Sequence, residues 1–161
     1  MSIVVVTTGG TLDKVYFDAK SEFQVGEPCA GAVLEEARVT VPWRQVECLR
    51  KDSLEMTAAD RDVLRACIEA QPEPRVVVTH GTDTMPETAE ALRCLDGRTV
   101  VLTGALAPAR MRESDAPFNL GFALAAVQLL DPGVYVAIQG RVFAAGTVRK
   151  DRRTGRFESP S

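Results

Sequence analysis

Val76-Val77-Val78-Thr79-His80-Gly81-Thr82-Asp83-Thr84-Met85 joins two kinds of chain. Three β-branched residues in a row behave as a strand buried on both faces. The run stops at Gly81, and Pro86-Glu87-Thr88-Ala89-Glu90-Ala91-Leu92 begins a helix, with a proline where its missing N–H costs nothing. Hydroxyls and a carboxylate therefore gather where a strand ends and a helix begins. In open α/β sheets, ligands bind outside the carboxyl ends of the strands.

The N-terminus repeats the device. Ile3-Val4-Val5-Val6 is followed at once by Thr7-Thr8-Gly9-Gly10-Thr11. Paired glycines let the backbone turn sharply and come close to a ligand. If the two strands are parallel neighbours, both threonine-bearing ends face one crevice.

Further along, the 9–26 region reads as a long polar connection, a mobile loop beside the site, and Gln45–Leu49 as a half-buried strand. Pro28–Arg38 reads as a helix with Val33, Leu34 and Ala37 on one face. Thr57 caps a helix to Gln71 with Val63, Leu64 and Ile68 inward. The helix after the valine run extends to Leu95, and Arg98–Leu102 makes another strand closed by Thr103-Gly104-Ala105. Leu106–Ala116 is irregular, Pro117–Leu130 is a helix apolar all round, and Val134–Ile138 is a fifth strand. Val142-Phe143-Ala144 suits a short hairpin arm, and 146–161 reads as a basic, irregular tail. Strands alternating with helices predict a three-layer α/β/α sandwich, with a mostly parallel doubly wound sheet in a single domain, 1–161.

Composition narrows the class. A formal charge of −3 over 161 residues offers no basic field for nucleic acid, and no apolar stretch is long enough to span a bilayer. The start lacks the charged region and apolar core of a secretion signal, so a cytoplasmic protein is expected. Cys29, Cys48, Cys67 and Cys94 are widely spaced and His80 is the one histidine, which argues for reduced thiols and against a metal site.

The candidate residues carry plain structural readings beside the chemical ones. Thr11 after Gly10 suits a nucleophile, an anion-binding turn or a helix cap. Thr82 and Asp83 suit a second hydroxyl with an ammonium-binding carboxylate, or an N-cap. Asp52 and Ser53 suit substrate contacts or a surface turn. Lys150, inside Arg149-Lys150-Asp151-Arg152-Arg153, suits a solvated face, or a base if its surroundings lower its pKa. His80 suits a structural hydrogen-bonder beneath the turn.

Taken together, Thr8-Gly9-Gly10-Thr11-Leu12 and His80-Gly81-Thr82-Asp83-Thr84-Met85-x-Glu87-Thr88-Ala89 resemble the two signatures of the bacterial-type L-asparaginase/glutaminase family. The likeness continues through Val101-Leu102-Thr103-Gly104-Ala105 and Asp115-x-Pro117-Phe118-Asn119-Leu120. It covers essentially the whole chain but about half of a typical member, like the amino-terminal α/β/α domain of that family standing alone in a short-chain form. The resemblance implies hydrolysis of L-asparagine, a small-molecule substrate, to L-aspartate and ammonia without metal or organic cofactor. Thr11 resembles the nucleophile that forms the acyl-enzyme, and Thr82, Asp83 and Lys150 resemble its second threonine, carboxylate and lysine. Ser53 resembles the serine that meets the substrate α-carboxylate, and Ala105 the residue whose carbonyl meets the amide nitrogen. Backbone N–H groups near Gly10, Thr11 and Thr82 are the implied oxyanion donors.

The chain departs from the pattern in three places. The family's loop tyrosine aligns with Phe23, leaving its role to Tyr16 if that residue reaches in. Leu54 stands where a glutamine is usual. The carboxyl-terminal half that completes a neighbour's site is outside the resemblance, and with the apolar helix this implies a homodimer or higher homo-oligomer. A non-catalytic amino-acid-binding or regulatory domain is the alternative; a nucleotide module is disfavoured because neither G-x-G-x-x-G nor a Walker lysine is present.

Overall fold

A computed structural model describes all of residues 1–161. The strands are β1 (Ile3–Gly9), β2 (Lys14–Phe17), β3 (Glu22–Val25), β4 (Trp43–Lys51), β5 (Arg75–Thr79), β6 (Thr99–Thr103), β7 (Gly133–Ile138), β8 (Arg141–Ala144), β9 (Arg149–Asp151) and β10 (Arg156–Glu158). The helices are α1 (Ala30–Glu36), α2 (Ala58–Glu69), α3 (Met85–Ala91) and α4 (Ala116–Leu129).

Six strands form the central sheet in the order β4-β1-β5-β6-β7-β8, parallel except for β8. Because successive side chains in a strand point to opposite faces, the valine runs feed two cores. Val4, Val6, Val76, Val78, Val100, Leu102 and Val136 pack with Leu64 and Ile68 of α2 and Ala89 of α3. Ile3, Val5, Val77, Val101 and Ala137 pack with Leu34 of α1 and Leu120, Ala123 and Val127 of α4. The three-layer, doubly wound architecture is the one the sequence predicts.

From β1 the chain runs outward to β4, then returns to the other side of β1 with β5. The winding reverses there, so the switch-point crevice opens between the carboxyl ends of β1 and β5. These strands pair in parallel, with Thr7 opposite Thr79.

Several local expectations are corrected. The 9–26 segment is not a structureless connection: β2 and β3 form a hairpin with Tyr16 opposite Phe23. The 146–161 tail is likewise ordered as the β9–β10 hairpin, with Lys150 opposite Phe157. Both were hidden because three- and four-residue strands carry too few alternations to register as a period. Val63 points outward at 50% exposure; Thr57 and Asp60 build a reciprocal capping box that fixes the phase of α2, putting Leu64 and Ile68 inward. In α1 only Ala30 and Leu34 are buried, while Val33 is half-buried and Ala37 is exposed. Helix α3 stops at Ala91, well short of Leu95. Helix α4 sets Asn119, Leu120, Ala123 and Val127 against the sheet but leaves a second apolar side uncovered within the chain. No helix is long and apolar enough to cross a membrane.

Candidate active site

The crevice is built on backbone contact. Gly10 has φ +81°, and a Cβ there would run into the backbone of Gly81. A Cβ on Gly81 would lie 2.6 Å from both Cβ and Oγ of Ser53. Glycine at both positions lets three turns close on each other, a spacing no side chain would permit. Thr11 and Thr82 are each the next residue after these glycines, so they stand on adjacent strand ends. The Gly10 N–H donates to the Lys51 carbonyl at 2.9 Å, and the Thr8 hydroxyl donates to the Thr79 carbonyl at 2.8 Å.

Thr82 is buried, and its hydroxyl accepts from Lys150 Nζ at 2.7 Å. The same nitrogen donates to Asp83 Oδ1 at 2.7 Å. Lys150 is nearly buried, with 10% of its side chain exposed against 30% for Asp83. The pair is therefore a positioned contact and not a solvated surface bridge. Arg152 Nε lies 4.0 Å from Asp83 on the outer side, a second cation the sequence reading passed over. The N-cap of α3 is Thr84, so neither Thr82 nor Asp83 serves as the helix cap.

Ser53 is buried beneath the crevice. Its carbonyl accepts from the Thr84 hydroxyl at 2.8 Å and its hydroxyl from the Thr84 N–H at 3.3 Å. Asp52 lies on the rim, paired with Lys14 Nζ at 3.0 Å. Burial works against its charge, but the Leu54 N–H and the Lys14 ammonium outweigh it and hold the carboxyl below its ordinary range. Ala105 is buried at the end of β6, and the loop behind it is anchored by Asp115, which accepts from the Leu106 and Ala107 N–H groups. Leu54 is exposed at 59%.

His80 is wholly buried under the turn. One ring nitrogen meets the Gly81 carbonyl at 2.7 Å and the other the Thr88 hydroxyl at 2.8 Å, while Arg61 Nε donates to that hydroxyl at 2.8 Å. Burial lowers its pKa to about 4, so it is a neutral strut at physiological pH. Thr88 and Arg61 were not singled out from sequence, since nothing local links them to position 80.

Thr11 is half-buried at the mouth. Tyr16 does not reach it: the ring is 53% exposed and packs on Phe23 with centroids 5.5 Å apart. The site is open-topped on this side. The largest surface cavity, about 500 Å³, lies on its far side between α3 and β9, lined by Asp83, Glu87, Glu90, Lys150 and Arg152.

Residues 2–161 match the family model described as Asparaginase, N-terminal. The chain belongs to the asparaginase family. Among curated relatives, it is 31% identical to an L-asparaginase of Thermococcus kodakarensis, covering 96% of this chain and 49% of that protein. It is 30% identical to a probable periplasmic L-asparaginase of Haemophilus influenzae, covering 99% and 50%. The solved thermostable L-asparaginase from Thermococcus kodakarensis superposes with a TM-score of 0.84 at 29% identity, over 99% of this chain and 51% of that one. L-asparaginase I from Vibrio cholerae superposes at 0.86 with 27% identity, over 99% of this chain and 51% of that one. The chain thus spans about half the length of the asparaginases it matches.

Proposed function

We propose that this chain is an amidohydrolase that converts L-asparagine to L-aspartate and ammonia through an acyl-enzyme on Thr11. The single observation that carries the reading is Lys150 Nζ held 2.7 Å from both Thr82 Oγ1 and Asp83 Oδ1. A charge run far along the chain delivers one lysine to a strand-end threonine and its neighbouring carboxylate. In its neutral form that amine takes the Thr82 proton across the same contact, and Asp83 holds it in place. Thr82 Oγ, its own proton lent to Lys150, takes the Thr11 proton as Thr11 Oγ attacks the side-chain amide carbon; Lys150 gives its proton to the amide nitrogen, the C–N bond breaks and ammonia leaves. Water then hydrolyses the ester, returning the proton to Thr11. Backbone N–H groups of Thr11 and Thr82 face the developing oxyanion; that of Gly10, expected from sequence to join them, is taken by the Lys51 carbonyl at 2.9 Å. Ser53 meets the substrate α-carboxylate, Asp83 its ammonium, and the Ala105 carbonyl the amide nitrogen, while Asp52, paired with Lys14, lines the rim of the substrate site.

The uncovered side of α4 supports a homodimer as the working form, and the four free thiols support a reducing, cytoplasmic setting. A second reading, an amino-acid-binding domain without turnover, is favoured by one observation: no tyrosine hydroxyl from the β2–β3 hairpin reaches Thr11. Ammonia release from L-asparagine, L-glutamine and D-asparagine decides between them. Hydrolysis lost in Thr11→Ala supports the first reading; saturable asparagine binding without ammonia supports the second.

A further inference from the structure

The turn joining β7 to β8 has two residues, Gln139 (φ +54°) and Gly140 (φ +74°), bridging the paired Ile138 and Arg141. Turns of this shape favour Asn-Gly, Asp-Gly or Gly-Gly, because both positions need a left-handed backbone. Glutamine at the first position is a poor local choice, and backbone held in such a region points to a task elsewhere. The side chain shows the task. Gln139 Nε2 donates to the Gly155 carbonyl at 2.7 Å, and Gln139 Oε1 accepts from the Phe157 N–H at 2.9 Å. Its own N–H donates to Asn119 Oδ1 at 3.1 Å. Asn119 in turn donates to the Gly104 carbonyl at 2.9 Å, next to Ala105.

Gly155 and Phe157 belong to the terminal hairpin, in which Phe157 lies directly opposite Lys150. Gln139 therefore grips the strand facing Lys150, and Asn119 ties that grip to the end of β6. We infer that Gln139 is a positioning residue that clamps the β9–β10 hairpin and so sets Lys150 against Thr82 and Asp83. The inference rests on the proposed catalytic role of Lys150. The amide spans two backbone groups two residues apart; asparagine, one methylene shorter, cannot reach both, although it suits the turn better.

Gln139→Asn separates the clamp from the turn. Its Tm should equal or exceed that of the unchanged protein, while kcat for L-asparagine falls about tenfold, as small displacements of a reacting group do, and KM moves less than about threefold. In a Lys150→Ala background the same substitution should cause no further loss, because both act through one amine. Amide exchange over 149–158 should quicken while β1 and β5 stay protected. Gln139→Glu, which keeps the acceptor for Phe157 but sets a carboxylate oxygen against the Gly155 carbonyl, should lose at least as much as Gln139→Asn. Unchanged kcat, or a loss that adds in full to that of Lys150→Ala, would overturn the inference. Full activity of Lys150→Ala would overturn the catalytic reading of Lys150 and with it the link to rate, while exchange over the hairpin still decides whether Gln139 is a clamp.

Discussion

Asp13→Asn should change how this protein responds to acid, and the size of the change follows from two buried groups. Asp13 is 1% exposed, two residues beyond Thr11. Its Oδ1 accepts from the Cys29 N–H at 2.9 Å, and its Oδ2 has no partner. Burial raises its pKa from 3.8 to about 6, against the opposing pull of the Cys29 N–H and the nearby Arg110 guanidinium; Glu47 and Arg50 act weakly and in opposite senses. His80 moves the other way, from 6.5 to about 4, through burial. Between these limits the folded chain holds a proton on Asp13 that the unfolded chain lacks. The unfolded chain holds one on His80 that the folded chain lacks. The two proton counts cancel, so their joint contribution to stability is nearly level from about pH 4.5 to 6.

Removing the carboxyl leaves the His80 slope exposed, at about 1.4 kcal/mol lost per pH unit of acidification. At pH 7 the variant gains by losing an ionised buried carboxylate, worth about 3 kcal/mol over the shift from 3.8 to about 6. It loses about 1–3 kcal/mol for placing an unpaired amide N–H where Oδ2 was. That second cost does not depend on pH. Relative to the unchanged protein, the variant should therefore lose about 2 kcal/mol between pH 7 and about 4.5. Equilibrium urea unfolding followed by the fluorescence of Trp43, at a series of pH values, measures this gap directly. A gap constant across the range would refute the assignment of Asp13 as a buried, acid-stabilising carboxyl.

Further outcomes are expected at the β2–β3 hairpin and at α4. Phe23→Tyr should raise kcat severalfold if the β2–β3 hairpin folds over Thr11 during turnover, since it supplies a hydroxyl at the aligned position. Tyr16→Phe should leave kcat within about twofold, because Tyr16 packs outward; steady-state ammonia release checks both, and a tenfold loss in Tyr16→Phe would contradict the outward placement. In solution the chain should have at least twice its 17.4 kDa mass at micromolar concentration. Phe118 and Leu129 are 61% and 84% exposed, with Phe122 stacked on Phe118 at a centroid distance of 6.1 Å. Leu129→Glu should shift the light-scattering mass toward the monomer, and a monomer that still hydrolyses asparagine would refute the homodimer.

What the sequence disclosed about this protein divides by range. Val76–Val78 and Ile3–Val6 are legible because a strand buried on both faces needs apolar residues at every position, whatever else the chain does. Gly10 and Gly81 are legible as turns, but not as each other's partners; that contact exists only because β1 and β5 are neighbours in the sheet. Lys150 shows where local reading stops. Its surroundings in sequence are all charge, and only pairing with Phe157 turns Lys150 inward while Arg149 stays exposed. Its partners Thr82 and Asp83 lie 68 and 67 residues away. Gln139 lay beyond that limit altogether, since a glutamine in a two-residue turn is only a mild local misfit. Its meaning comes from what the amide grips, and the grip depends on a hairpin whose own strands are too short to announce themselves. The candidate residues of strands and turns were thus readable one by one. The parts that bring Lys150 to Thr82 are long-range, and they depend on backbone hydrogen bonds that carry no residue signature.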